Sequence, residues 1–244
     1  GKAACNLFSG ATCASAPTVF TELGVETEFI NAVPDGRFPA GNPEPNAETL
    51  QRLTGYMRSR GASIGFGFDG DGDRMMPVGA GGVVGPDRVL AAIAGHAVEN
   101  GGGGTVVTHV GASMCVDDTV EEAGGTVVRT PVGDAFITEA VARHGAVFGG
   151  EPVGSWVFPE VHMCPDGVLS ALKLLEALGE KDATLEEFVE AAPSYPLGRA
   201  KLECPDPLKG KAMEAISEGY MDVVKGVREV RTVDGLRLEL ETGW

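Results

Sequence analysis

Residues 63–78 read Ser-Ile-Gly-Phe-Gly-Phe-Asp-Gly-Asp-Gly-Asp-Arg-Met-Met-Pro-Val, and no other stretch constrains the fold so tightly. Ile64, Phe66 and Phe68 alternate with small residues, the pattern of a buried strand running to Phe68. Asp69, Asp71 and Asp73 follow, separated only by glycines and closed by Arg74. Residues two apart point the same way in an extended or gently curved loop, so the three carboxylates are expected to converge. Left alone they repel, and one must take a proton. A hard divalent cation removes that conflict, and oxygen-only ligands suit Mg²⁺ or Ca²⁺. A solvated acidic turn would explain a single Asp-Gly, but not three at spacing two behind an apolar strand. An EF-hand loop starting at Asp69 would need glycine where Arg74 stands and glutamate where Ala80 stands. Gly65, Gly67 and Gly70 match the letters of a dinucleotide fingerprint, but that motif opens a helix and three aspartates would repel a pyrophosphate.

The neighbouring elements decide where this loop lies. Ala3–Phe8 reads as a buried strand, Ser9-Gly10-Ala11 as a turn, Ala14–Leu23 as a helix stopped by Gly24, and Glu26–Ile30 as a second strand. The prolines of Pro34–Pro39 and Asn42–Pro45 make a stiff loop. Asn46 is expected to cap a helix carrying Leu50, Leu53 and Met57 at helical spacing, ended by Gly61. The order strand–helix–strand–helix–strand predicts a largely parallel sheet, with ligands beyond the carboxyl ends of its strands, where Asp69–Asp73 fall.

Met75–Val84 reads as a hairpin leading out of this unit. A second unit follows on the same plan: a helix from Pro86 to Glu99, strand 105–109, helix 113–123, strand 126–129, helix 134–143 and strand 146–148. Gly101–Gly104 is a turn, since no Gly-Lys-Ser/Thr follows it. Apolar helices are expected up to Leu178 and from Thr184. Pro193–Pro196 marks a linker, and strand 200–203, helix 207–219 and strands near 227–231 and 235–240 begin a third unit. The expected fold class is α/β: two consecutive three-layer α/β domains with mixed, largely parallel sheets, plus the start of a third α+β domain.

Gly149-Gly-Glu-Pro-Val-Gly-Ser-Trp156 is the second informative stretch. A carboxylate on a glycine-flanked loop, here Glu151, can accept from two adjacent sugar hydroxyls, although an ordinary tight turn would also fit. Arg129–Asp134 lies between the two stretches, and Asp134 is a good helix N-cap. The histidines form no site; only His162 lies near the second loop. No Gly-x-Ser-x-Gly elbow is present.

Asp69-Gly-Asp71-Gly-Asp73-Arg74 resembles the metal-binding loop of the α-D-phosphohexomutases, the family of phosphomannomutase, phosphoglucomutase and phosphoglucosamine mutase. Asp35-Gly-Arg-Phe-Pro39 and Asn42-Pro-Glu-Pro45 are similar to its second domain, and Ser9-Gly10-Ala11 stands where the family often has Asn-Gly-Ala. The resemblance implies that Asp69, Asp71 and Asp73 hold Mg²⁺ beside a phosphoserine, with Arg74 as a catalytic residue steadying both charges. Gly149–Ser155 resembles the sugar-binding loop, which implies that Glu151 grips sugar hydroxyls. Val153 stands where the family has serine, and Ser155 where many members have histidine. Gly133 and Asp134 match a loop that orients sugar and phosphate. The implied domains are 1–84 (second domain, metal loop), 85–194 (third domain, sugar loop) and 195–244 (truncated start of the fourth).

The implied function is that of a phosphohexomutase fragment. The parent would move a phosphoryl group between the 1- and 6-positions of a mannose, glucose or glucosamine phosphate, through a phosphoserine and a hexose bisphosphate. This chain, without the phosphoserine loop and the final phosphate loop, is expected to be inactive alone and to need the parent's other domains; Gly1, in place of Met, suggests trimming. The other reading is a non-catalytic metal- or sugar-phosphate-binding module. With 35 acidic against 19 basic residues, a formal charge of −16, nucleic acid and anionic membranes are not expected partners. The acidity also suits a high-salt cytoplasm. No signal peptide is expected, and five cysteines without a Cys-x-x-Cys read as reduced core thiols of a cytoplasmic protein.

Overall fold

The computed structural model describes residues 1–244 apart from Leu197, Arg199, Lys201, Thr242 and Trp244. The first sheet is built from β1 (Ala3–Asn6), β2 (Thr27–Ile30), β3 (Ile64–Phe68), β4 (Met75–Gly79) and β5 (Gly82–Val83). Its order is β2-β1-β3-β4-β5. β1 pairs parallel with β2 and β3, placing Cys5 opposite Phe29 and Phe66, whereas β3–β4 and β4–β5 are antiparallel. The hairpin expected to lead out of the unit therefore completes its sheet.

The alternation in β3 separates two buried faces. Phe66 and Phe68 lie with Cys5, Leu7 and Phe20 of α1 (Ala16–Glu22). On the other face Ala4, Met76 and Val78 pack against Leu50, Leu53 and Met57, the last two on α2 (Gln51–Arg60). Gly65 and Gly67 are small because α2 and Leu50, which precedes it, lie directly on them. A Cβ at Gly65 would stand 2.5 Å from Met57 Sδ, and one at Gly67 2.3 Å from Leu50 Cδ2. α2 starts at Gln51, later than the Asn46 cap implies. Asn46 Oδ1 instead accepts from the amides of Glu48 and Thr49, capping the turn before the helix.

The second sheet holds β6 (Gly104–His109), β7 (Gly125–Thr130), β8 (Phe148–Gly150) and β9 (Trp156–Val157) in the order β7-β6-β8-β9. β6 pairs parallel with β7 and β8, and β8–β9 is antiparallel. α5 (Asp134–His144) covers one face through Ile137 and Val141 on Val107 and Val157. α3 (Pro86–Gly101) and α4 (Cys115–Glu122) cover the other. Both units are thus three-layered.

α6 (Gly167–Lys181) touches β3 and β4 of the first sheet and β9 of the second, so one apolar core runs continuously from Phe20 to Phe148. Asp166 caps α6, and Thr184 with Glu187 forms a capping box for α7 (Leu185–Glu190). The third region has α8 (Asp206–Val223), which buries no side chain, and an antiparallel pair, β10 (Glu229–Arg231) with β11 (Arg237–Glu239). The strand expected over 200–203 does not form at Ala200, Leu202 or Glu203, and Lys201 lies outside the described residues.

All five cysteines are free, but only Cys5 and Cys115 are buried, and Cys164 is exposed rather than in a core. Among the described residues no helix is long and apolar enough to cross a membrane.

Candidate functional site

The loop after β1, the aspartate loop after β3, residues 131–134 after β7 and the loop after β8 all leave the carboxyl ends of parallel strands. The backbone joins them. Ala11 donates to Gly70 O (3.0 Å), Gly167 at the start of α6 to Gly72 O (3.0 Å), and Met75 to Gly154 O (3.0 Å). Arg74 and Ser155 form an isolated antiparallel bridge. The aspartate loop and the glutamate loop are therefore fastened edge to edge, although distant in sequence.

Asp69, Asp71 and Asp73 each offer a carboxylate oxygen within 4.8 Å of the other two. Their environments differ. Asp69 is buried; its Oδ1 accepts from the amides of Gly72 (2.9 Å) and Arg74 (3.1 Å), and its Oδ2 from Arg74 Nε (2.7 Å). Burial opposes the charge on Asp69, but the hydrogen bonds from Arg74 hold its carboxyl below the usual carboxylate range. Asp73 has only a longer ion pair, its Oδ1 lying 3.7 Å from Arg74 Nε. Burial first, then Asp69, Asp71 and Asp134, push its carboxyl up to about 7. Its Oδ1 is buried without a hydrogen-bond partner. An all-oxygen donor set, converging and short of positive charge, fits Mg²⁺.

Arg74 is held from two sides. Nε meets Asp69, and Nη1 donates to Glu44 Oε1 at 2.6 Å. Among the described residues Nη2 donates no hydrogen bond. The sequence marked Glu44 only as part of a stiff proline loop; its pairing with Arg74 spans 30 residues and had no local signal.

In the second loop Glu151 is 6% exposed, and its Oε1 accepts from the Gly133 amide at 2.9 Å. Burial first, and the adjacent Asp134 carboxylate, push its carboxyl upwards against the lowering effect of that amide. Asp134 is not the helix cap the sequence suggested. Gly133 occupies that position with φ 132°, and Asp134 is the first residue of α5. Its carboxylate instead accepts the hydroxyl of the buried Ser155, a contact that overrides the local capping preference. Val153 is 40% exposed and presents no hydrogen-bonding side-chain group. His162 contacts Cys164 Sγ through Nε2 at 2.8 Å, and among the described residues it makes no hydrogen bond or ion pair with Glu151.

Residues 3–82 match the family description Phosphoglucomutase/phosphomannomutase, alpha/beta/alpha domain II, and residues 85–195 match domain III of the same description. Among curated proteins, the chain is 43% identical over 229 residues to the probable phosphoglucosamine mutase of Methanopyrus kandleri, covering 93% of this chain and 50% of that protein. It is 37% identical over 241 residues to the phosphoglucosamine mutase of Methanococcus maripaludis, covering 97% and 54%. Among solved structures, a phosphoglucomutase/phosphomannomutase family protein from Burkholderia thailandensis superposes with a TM-score of 0.83 at 28% identity, over 98% of this chain and 51% of that one. The Aspergillus fumigatus N-acetylphosphoglucosamine mutase in complex with GlcNAc-6P and magnesium shares the fold, with a TM-score of 0.58 at 18% identity over 89% and 57%. The chain spans about half the length of the curated relatives it matches.

Proposed function

The chain belongs to the phosphoglucomutase/phosphomannomutase family, and on that premise we propose that it forms the metal- and sugar-binding part of a phosphoglucosamine mutase. The observation that carries the proposal is the joining of a three-aspartate loop to a glutamate loop through Met75 N and Gly154 O. We divide the chain into the metal-loop domain 1–84, the sugar-loop domain 85–194 and a fourth-domain start from 195, and place it in the cytoplasm, in keeping with its free thiols.

In the proposed reaction a phosphoserine, assigned to no residue of this chain, gives its phosphoryl group to O1 of glucosamine 6-phosphate. The bisphosphate then returns its 6-phosphoryl group to the serine and leaves as glucosamine 1-phosphate. Catalysis of this kind rests on positioning and charge stabilisation. Asp69, Asp71 and Asp73 would hold Mg²⁺, which when bound neutralises charge on the transferring group. Arg74 directs its free Nη2 edge at phosphate oxygens. Glu151 accepts from sugar hydroxyls; Ser155 holds the Asp134 carboxylate, and Val153 adds no polar contact.

Glucosamine is favoured over glucose or mannose for two reasons. The two curated relatives above are named for it. In addition, Asp134 and Glu151 place two carboxylates together, and Arg74, hydrogen-bonded to Asp69 and Glu44, only partly offsets the charge on Glu151. The ammonium of a glucosamine phosphate would add a second positive charge beside that pair. A hydrogen bond to a charged group contributes about 1.5–3 kcal/mol, or roughly 10- to 100-fold in affinity. Calorimetry of the whole protein should therefore show glucosamine 6-phosphate binding at least tenfold tighter than glucose 6-phosphate. Asp134→Asn should narrow that gap, and Glu151→Ala should weaken both sugars. Equal affinities in the unsubstituted protein would remove glucosamine from the proposal. Unchanged binding in Glu151→Ala would make residues 149–156 a structural turn.

A further inference from the structure

We propose that Glu44 is a positioning residue that sets the orientation of the Arg74 guanidinium. The inference rests on the reading above, in which Arg74 faces phosphate. An arginine held by one carboxylate can still swing its outer nitrogens. Arg74 is held at two different nitrogens by two different carboxylates: Nε by Asp69 at 2.7 Å and Nη1 by Glu44 at 2.6 Å. Two anchors fix the plane of the fork, so the Nη2 edge is presented in one direction.

Glu44 is itself held in place. Pro43 and Pro45 flank it and restrict the backbone. Its amide donates to Asn42 Oδ1 at 3.2 Å, and its carbonyl accepts from Thr49 Oγ1 at 2.6 Å. The loop also leans on the metal loop, since a Cβ at Gly70 would meet Phe38 at 3.2 Å and Pro43 at 3.4 Å. These features set it apart from pairs such as Arg143 with Glu139, whose side chains are both about two-thirds exposed on one helix. The Glu44 side chain is 46% exposed, so this ion pair adds little to stability. A role in orientation can therefore be separated from a role in folding.

The test combines side-chain NMR on this chain with kinetics on the whole protein. In the unsubstituted chain the Arg74 Nη resonances should be separately resolved, because rotation about Nε–Cζ is hindered. Glu44→Ala should average them while leaving the unfolding midpoint in place, and Glu44→Gln, which keeps an acceptor, should fall between. In the whole protein Glu44→Ala should lower kcat roughly 10- to 100-fold, the scale of a misplaced reacting group, with KM for the sugar phosphate changed less than about twofold. If Arg74→Met abolishes turnover while Glu44→Ala changes neither the Arg74 resonances nor kcat, the positioning role is wrong and the functional reading stands. If Arg74→Met leaves turnover intact, the functional reading fails and this inference fails with it.

Discussion

Gly154→Ala is expected to break the junction between the aspartate and glutamate loops and to cost about 2–4 kcal/mol of stability. Gly154 has φ 89°, a conformation that alanine adopts only under strain. Space is the larger difficulty. An added Cβ would lie 1.9 Å from Met75 O and 2.7 Å from Met75 C, both backbone atoms of β4. β4 cannot retreat without losing its pairing with β3, where Met75 stands opposite Phe68. The Met75 N to Gly154 O bond is therefore the contact that gives way. Urea unfolding of the variant should show the loss. Gly55→Ala is the matched control: it lies within α2 with open space around its Cβ position and should gain up to about 1 kcal/mol. A Gly154→Ala variant as stable as the parent chain would mean that the two loops are not held by this contact.

Arg74→Met is expected to destabilise the chain by about 3–5 kcal/mol, because it leaves the buried Asp69 carboxylate without its charged partner. Asp69 is 1% exposed, and the two amides that remain do not neutralise it. The pH dependence identifies the cause. Asp69 has a folded-state pKa below its ordinary 3.8. Its contribution to stability is therefore present above that value and is lost as pH falls through the depressed folded pKa. The gap between the unsubstituted chain and Arg74→Met should be largest at neutral pH and should shrink as pH falls, because the unpaired, buried Asp69 of the variant takes up its proton at a higher pH than the paired one. A gap under about 0.5 kcal/mol at pH 7, or one that does not change with pH, would show that Arg74 is not the counter-charge of Asp69. Arg74 thus has a structural duty beside the catalytic one proposed for it, and turnover measurements on this variant should be made on protein shown to be folded.

The parts of the structure legible in the sequence are those governed by local physics. Ile64, Phe66 and Phe68 announce β3 because their alternation matches the strand period. Pro86 marks the start of α3, Gly61 the end of α2, and Thr184 the capping box of α7. The three aspartates converge because the spacing of two survives the glycine turns. Other features depend on groups distant in sequence. Asp134 has the chemistry of a helix cap, but Ser155, 21 residues on, takes its carboxylate. Glu44 gains its partner only when the proline loop folds over the aspartate loop. α6 reads as one apolar helix, and nothing in its own sequence says that it packs against both sheets. The glycines of β3 read as spacing elements; their reason is the helix, with Leu50 before it, lying on them.

Titration of the chain with Mg²⁺, followed residue by residue in ¹H–¹⁵N NMR spectra at pH 6 and pH 8, tests the assignment of the aspartate loop most directly. Asp73 must lose its proton to act as a ligand, and its carboxyl titrates at about 7. Binding should therefore be weak at both pH values but roughly tenfold tighter at pH 8. Shifts should concentrate at residues 69–74 and their partners Ala11, Gly154 and Gly167, and should vanish when Asp69, Asp71 and Asp73 are all replaced by asparagine. Equal shifts in the triple variant, or shifts confined to other acidic surfaces, would contradict a metal site at this loop.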